Sequence, residues 1–137
     1  MEVNNNGLLQ ATDFGLKITG ASKINAADIN FDITTTNGGD GATITTGGGA
    51  DTFDLKDPTD GVTAGAGDDK VTLNALTYDS AGIHLGTGTD TIAVVGDVDI
   101  KGVDASAFTG FEKVTLASDK NLILHPGVAN AFNSATA

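Results

Sequence analysis

The chain has 137 residues, a length that fits one domain, with 19 Gly, 6 Phe, 1 Tyr and no Trp. So few aromatic side chains exclude a thick mixed core and leave a thin one built from stacked aliphatic rows, with disorder as the rival expectation for a Gly-rich acidic chain. A net charge of -11 argues against phosphate backbones and anionic lipid surfaces as partners and in favour of cations, and the absence of Cys rules out disulfides and thiolate zinc sites.

Residues 1–41 are expected to form degenerate coils and a cap. The opening segment MEVNNNGLLQATDFG lacks the basic start and apolar stretch of a Sec signal peptide, and no apolar run in the chain reaches the length of a membrane span. Within this region Gly20 to Phe31 reads as a degenerate coil, with Ile29 and Phe31 in core columns and Ala27 at a position that carries Asp in later coils. The connection TTTNGGDG at 34–41 leads into the regular part, with Asp40 as a candidate extra ligand for a cation.

Residues 42–94 contain three twelve-residue segments that align without a gap: ITTGGGADTFDL (44–55), VTAGAGDDKVTL (62–73) and IHLGTGTDTIAV (83–94). Their starts are 18 and then 21 residues apart, and the difference falls in the connections KDPTDG (56–61) and NALTYDSAG (74–82). Ile44, Val62 and Ile83 make one apolar column, Phe53, Val71 and Ile92 a second, and Leu55, Leu73 and Val94 a third. Alternation at period two places these side chains on the inner face of strands, with mostly Thr, Asp or Lys between them facing water. The glycine pairs Gly47/Gly49, Gly65/Gly67 and Gly86/Gly88 permit a tight turn between two strands. The predicted fold class is therefore all-β: a parallel β-roll or right-handed β-helix of five to six coils, each strand pairing in parallel with its counterpart one coil on.

Residues 95–137 are expected to form a degenerate coil and a cap. After the connection VGDVDIKG (95–102), the segment ASAFTGFEKVTL (105–116) aligns without a gap to Ile83–Val94, placing Phe108 at the first turn glycine and Glu112 at the Asp position. One domain accounts for the whole chain.

The chemistry lies in the turn column Asp51, Asp69 and Asp90. Parallel strands are about 4.8 Å apart, and carboxylates stacked at that spacing repel by about 3.5 kcal/mol per neighbouring pair at an effective dielectric of 20. Such a column needs open solvent, hydrogen-bond donors from the turn, or a counter-ion. Hard oxygen ligands favour Ca2+, whose six to eight donors can include carboxylates and turn carbonyls. A metal-free solenoid whose Asp side chains accept turn N–H groups is the alternative.

The segments TGGGADTFD (46–54), AGAGDDKVT (64–72) and LGTGTDTIA (85–93) resemble the haemolysin-type calcium-binding nonapeptide GGxGxDxUx, although Thr46, Ala64 and Leu85 replace its first Gly. The resemblance implies a calcium-binding β-roll. Asp51, Asp69 and Asp90 would supply side-chain ligands, the turns with Gly47, Gly49, Gly65, Gly67, Gly86 and Gly88 would supply carbonyls, and about two ions would lie between coils. Asp68 is a further candidate ligand. The motif stands on one side only, which departs from the family. The stretch VDASAFTGFEKVTLAS (103–118) also looks like coil ends in surface-layer and adhesin-type proteins of this family.

What the resemblance implies is a structural module of a secreted or cell-surface bacterial protein, exported by a type I-like route, with neighbouring copies or other domains of a surface assembly as partners. An accessory domain of an exported protease, lipase or polysaccharide epimerase is one alternative, and a glycan-binding module is another. The residues point to no enzyme. No GxSxG, HExxH or phosphate-loop pattern occurs, His84 is expected to face outward between Ile83 and Leu85, and His125 and Tyr78 are placed in loops.

Overall fold

The computed structural model describes residues 16–19, 23–26, 33–36, 43–55, 57, 59–74, 77–78, 82–100, 105–126 and 129. Strands are all short: β1 (Leu16–Thr19), β2 (Lys23–Ala26), β3 (Ile33–Thr36), β4 (Thr43–Thr46), β5 (Thr52–Leu55), β6 (Gly61–Ala66) and β7 (Lys70–Leu73). They continue as β8 (Thr77–Tyr78), β9 (Ile83–Thr87), β10 (Thr91–Val94), β11 (Val98–Ile100), β12 (Phe108–Thr109), β13 (Lys113–Leu116) and β14 (Leu122–Leu124). All named pairings are parallel, as expected when a chain winds and each strand meets its counterpart one coil later.

The strands form a parallel β-solenoid. One six-stranded sheet runs β1-β3-β5-β7-β10-β13, and a five-stranded sheet runs β12-β9-β6-β4-β2. The apolar columns lie on these two sheets as period two requires. Ile44 pairs with Val62 and Val62 with Ile83, while Phe53, Val71 and Ile92 pair in line, as do Leu55, Leu73 and Val94. All nine side chains are buried, and at about 1.5–3 kcal/mol each they supply most of what holds the coils together. Thr46 stands in an inward column beside Ala64 and Leu85, and its hydroxyl donates to the Ala64 carbonyl at 2.8 Å, so this polar group is buried with its donor satisfied.

Two features of the architecture differ from the sequence-based expectation. The regular glycine–aspartate geometry spans about three turns, in residues 43–55, 61–74 and 82–100, rather than five to six coils. The coil before them is described only as strands, and the coil after them has a shortened turn. A third sheet, in the order β14-β11-β8, replaces part of the connections that sequence placed in irregular loops. Val98 and Ile100 on β11 are buried in the core, and across the longer connection between the second and third coils Gly65 still pairs with Gly86.

The terminal coils are also registered differently. Phe108 pairs with Ile83 and is buried, so it fills the first apolar column and not the first turn-glycine position. Ile83 and Thr91 are eight positions apart, whereas Phe108 and Lys113, their partners one coil on, are only five apart. The gap belongs inside the last turn, because burying a Phe side chain outweighs keeping the turn length. On the other side, β3 begins at Ile33 and Thr35 pairs with Phe53, so Thr35 and not Ile29 stands in that column. Ile29, Phe31, Ala27 and Asp40 lie outside the described residues.

Candidate metal centre

The turns that join the two main sheets carry the candidate site. β6 and β9 run on into the turn, so Gly65 and Gly86 are still paired across the coils. The turn backbones are linked by Ala66 N–H to Gly47 O (2.8 Å), Gly49 N–H to Ala66 O (3.0 Å) and Gly67 N–H to Thr87 O (2.9 Å). Gly67 and Gly88 show why glycine is required. Their φ angles are 132° and 150°, and a Cβ built on them would fall 1.8 Å from Gly49 O and 1.9 Å from Gly67 O. Only a residue without a Cβ lets one turn carbonyl come this close to the next Cα.

Asp51, Asp69 and Asp90 follow these turns at the start of β5, β7 and β10, and all three are buried, with exposures of 1 %, 1 % and 0 %. The Asp51 N–H donates to Asp69 Oδ1 at 2.8 Å, and the Asp69 N–H donates to Asp90 Oδ1 at 2.7 Å. The Asp90 N–H donates to Glu112 Oε2 at 2.9 Å. Asp69, Asp90 and Glu112 thus each accept a backbone N–H from the coil before, and Glu112 ends the series at the position sequence alignment gave it. Buried carboxylates aligned along the coil axis oppose ionisation. Burial raises Asp69 from 3.8 to about 6, helped by the charges of Asp51 and Asp68 and opposed by the Asp51 N–H bond. Burial likewise raises Asp90 to about 6, with Asp69, Glu112 and Asp68 adding to the rise and the Asp69 N–H bond opposing it.

The second oxygens decide what else the column can hold. Oδ2 of Asp69 and Oδ2 of Asp90 are buried and accept no hydrogen bond. A buried acceptor in that state is costly unless a proton or a cation meets it. Calcium fits this donor set in kind: hard carboxylate oxygens in the column, with turn carbonyls beside them. Among the described residues no three His, Cys, Asp or Glu side chains form a ready-made cluster, so further ligands would have to be carbonyl or water oxygens.

All nine residues singled out in the sequence therefore lie on one edge of the solenoid. Gly49, Gly65, Gly67, Gly86 and Gly88 have positive φ, whereas Gly47 does not and serves as a carbonyl acceptor instead. Two groups of the same edge carried weaker signals. Asp68 is exposed and accepts the Thr89 N–H at 2.9 Å through Oδ1. Glu112 accepts the last turn proton despite its shortened turn. On the far side Asp60 is buried and bonded to the Asp57 N–H, which closes the 57–60 turn; nothing in its spacing distinguished it from a solvated loop residue.

The histidines stand away from this edge. His84 is half-buried on the outer face with Nδ1 2.8 Å from Thr109 Oγ1, and His125 Nε2 is 3.0 Å from Asp99 Oδ1. No described helix is long and apolar enough to cross a membrane. No family model matches the chain, and neither does any curated protein or solved structure.

Proposed function

We propose that the chain is a calcium-binding structural module of a secreted or cell-surface protein, in which Ca2+ between stacked turns stabilises the solenoid. The observation that carries this reading is the pair of buried Oδ2 oxygens on Asp69 and Asp90, in a column where burial raises both carboxyls to about 6. Asp51 and Asp69 would serve one ion and Asp69 and Asp90 another, with carbonyls of the glycine turns completing each shell. The charge of -11 supports a cation as partner and gives the calcium-free chain a reason to stay expanded. Calcium is abundant outside cells, so such a module would reach its folded state after export. Other domains or copies of a surface assembly are the partners this role would serve.

A metal-free form of the same scaffold role draws on a different observation: the N–H bonds to Asp69, Asp90 and Glu112, which hold the ladder through the backbone alone. Far-ultraviolet circular dichroism of the chain stripped with a chelator, followed by addition of calcium chloride, separates the two. Gain of β signal on calcium supports the calcium module. The same full β signal in chelator and in millimolar calcium favours the metal-free scaffold.

A further inference from the structure

The three inter-coil gaps along the acidic edge are not equivalent. Between the first and second coils the strap seen among the described residues runs from the Asp51 N–H to Asp69 Oδ1. Between the second and third there are two, running in opposite directions: the Asp69 N–H reaches forward to Asp90 Oδ1, and the Thr89 N–H reaches back to Asp68 Oδ1. Between the third coil and the terminal one the strap is the Asp90 N–H to Glu112, beneath a turn that has lost three residues. The residue just before each column carboxylate is Ala50, Asp68, Thr89 and Phe111 in turn, so a second acid occurs only at the middle gap. Asp68 is exposed, and its Oδ1 is held at the rim of this gap by the Thr89 N–H. The carboxylate of Asp90, which accepts the Asp69 N–H across this gap, keeps its Oδ2 buried and without a hydrogen bond.

We propose that Asp68 makes the gap between the second and third coils the first to take up a divalent cation. This rests on the calcium module proposed above and adds an order of filling to it. Asp68 acts through its charge, since it does not join Asp69 and Asp90 in a three-carboxylate cluster. A negative charge held at the rim of a partly dry site attracts a dication more strongly than it would in open water. The strap to Thr89 fixes that charge in place and lowers the entropy lost on binding. Asp68 is a positioning and charge-supplying residue of the site, and Ala50 marks its absence one coil earlier.

Calorimetric titration of the chelator-stripped chain with calcium chloride tests the order. Two resolved steps are expected. Asp68→Asn keeps an acceptor for the Thr89 N–H but removes the charge, and should weaken the tighter step about three- to tenfold while leaving the weaker one. Asp68→Glu should restore most of it. Asp51→Asn should remove the weaker step and spare the tighter, and Ala50→Asp should strengthen the weaker step. The advantage of the tighter step should shrink as salt is raised, which a purely structural role would not produce. An unchanged tighter step in Asp68→Asn, or an unchanged weaker step in Ala50→Asp, overturns the role of Asp68 and leaves the calcium module standing. No calcium heat in the unaltered chain overturns both. Dichroism in saturating calcium shows whether each variant folds, and Ala50→Asp decides the matter if Asp68→Asn does not.

Discussion

The backbone N–H of Asp69 donates to Oδ1 of Asp90, 21 residues later in the chain and one coil away, at 2.7 Å. One hydrogen bond thus ties a turn to the carboxylate of the next turn, and the same contact recurs from Asp51 to Asp69. The bond leaves the other oxygen of Asp90 buried and without a hydrogen bond.

Asp90→Asn keeps an oxygen for the Asp69 N–H and removes the charge. Without calcium the variant should be at least as stable as the parent at neutral pH, because a repelling carboxylate is gone. The stabilisation gained from calcium should fall by about 2 kcal/mol or more. Thermal melts in chelator and in calcium measure both effects.

In chelator, stability should depend on pH through Asp69 and Asp90. Both are raised from 3.8 to about 6, so between those values the folded state holds more protons than the unfolded state. Their contribution to stability is then full below about pH 4 and is lost as pH rises through about 6, with each group adding at most about 1.4 kcal/mol per pH unit. Calcium reverses the trend, since binding requires the deprotonated forms and strengthens as pH rises through the same range. Urea midpoints across pH 4–8, with and without calcium, test the crossing.

Gly67→Ala places a methyl group where Gly49 O already stands, at a φ of 132°. A loss of about 3 kcal/mol or more is expected, and calcium uptake should weaken with it because the turn carbonyls shift. Gly61→Ala is the matched control. Its added Cβ would meet nothing closer than 3.5 Å, and the change should cost far less. Denaturant melts of the two variants give the difference directly.

Phe53→Ala should cost about 3–5 kcal/mol, since Phe53 is fully buried between Thr35 and Val71 in its column. Leu116→Ala, in the same inward row as Leu55 but 50 % exposed at the end of the six-stranded sheet, should change stability by under about 1 kcal/mol. The contrast in denaturant midpoints checks the register of the last coil.

The regular part of the fold was legible because two signals coincide there. Ile44, Val62 and Ile83 before the turn and Phe53, Val71 and Ile92 after it keep period two at fixed distance from G-x-G-x-D, and stacked parallel coils bury all of them. The column of Asp51, Asp69 and Asp90 follows from the same alignment. The last coil was misregistered because FTGFEKVTL keeps the strand after the turn while the turn itself shortens, so matching the later strand displaces Phe108 from its column. Sheet β14-β11-β8 escaped notice because Val98 and Ile100 sit in a short VDI segment flanked by Gly and Asp, which reads as a loop. Bonds from turn N–H groups to the Asp side chains belonged to the metal-free alternative, but that each one crosses from one coil to the next leaves no mark in sequence. Asp68 did carry a mark, the doubled acid in AGAGDD, but its bond to Thr89 depends on stacking across 21 residues.

The most direct test is a count of bound ions. Native mass spectrometry of the chelator-stripped chain, exchanged into calcium at neutral pH, should show about two Ca2+ per chain, and Asp69→Asn, which touches both gaps, should lower that count. A parent chain that binds no calcium at millimolar concentration while remaining fully folded would contradict the account.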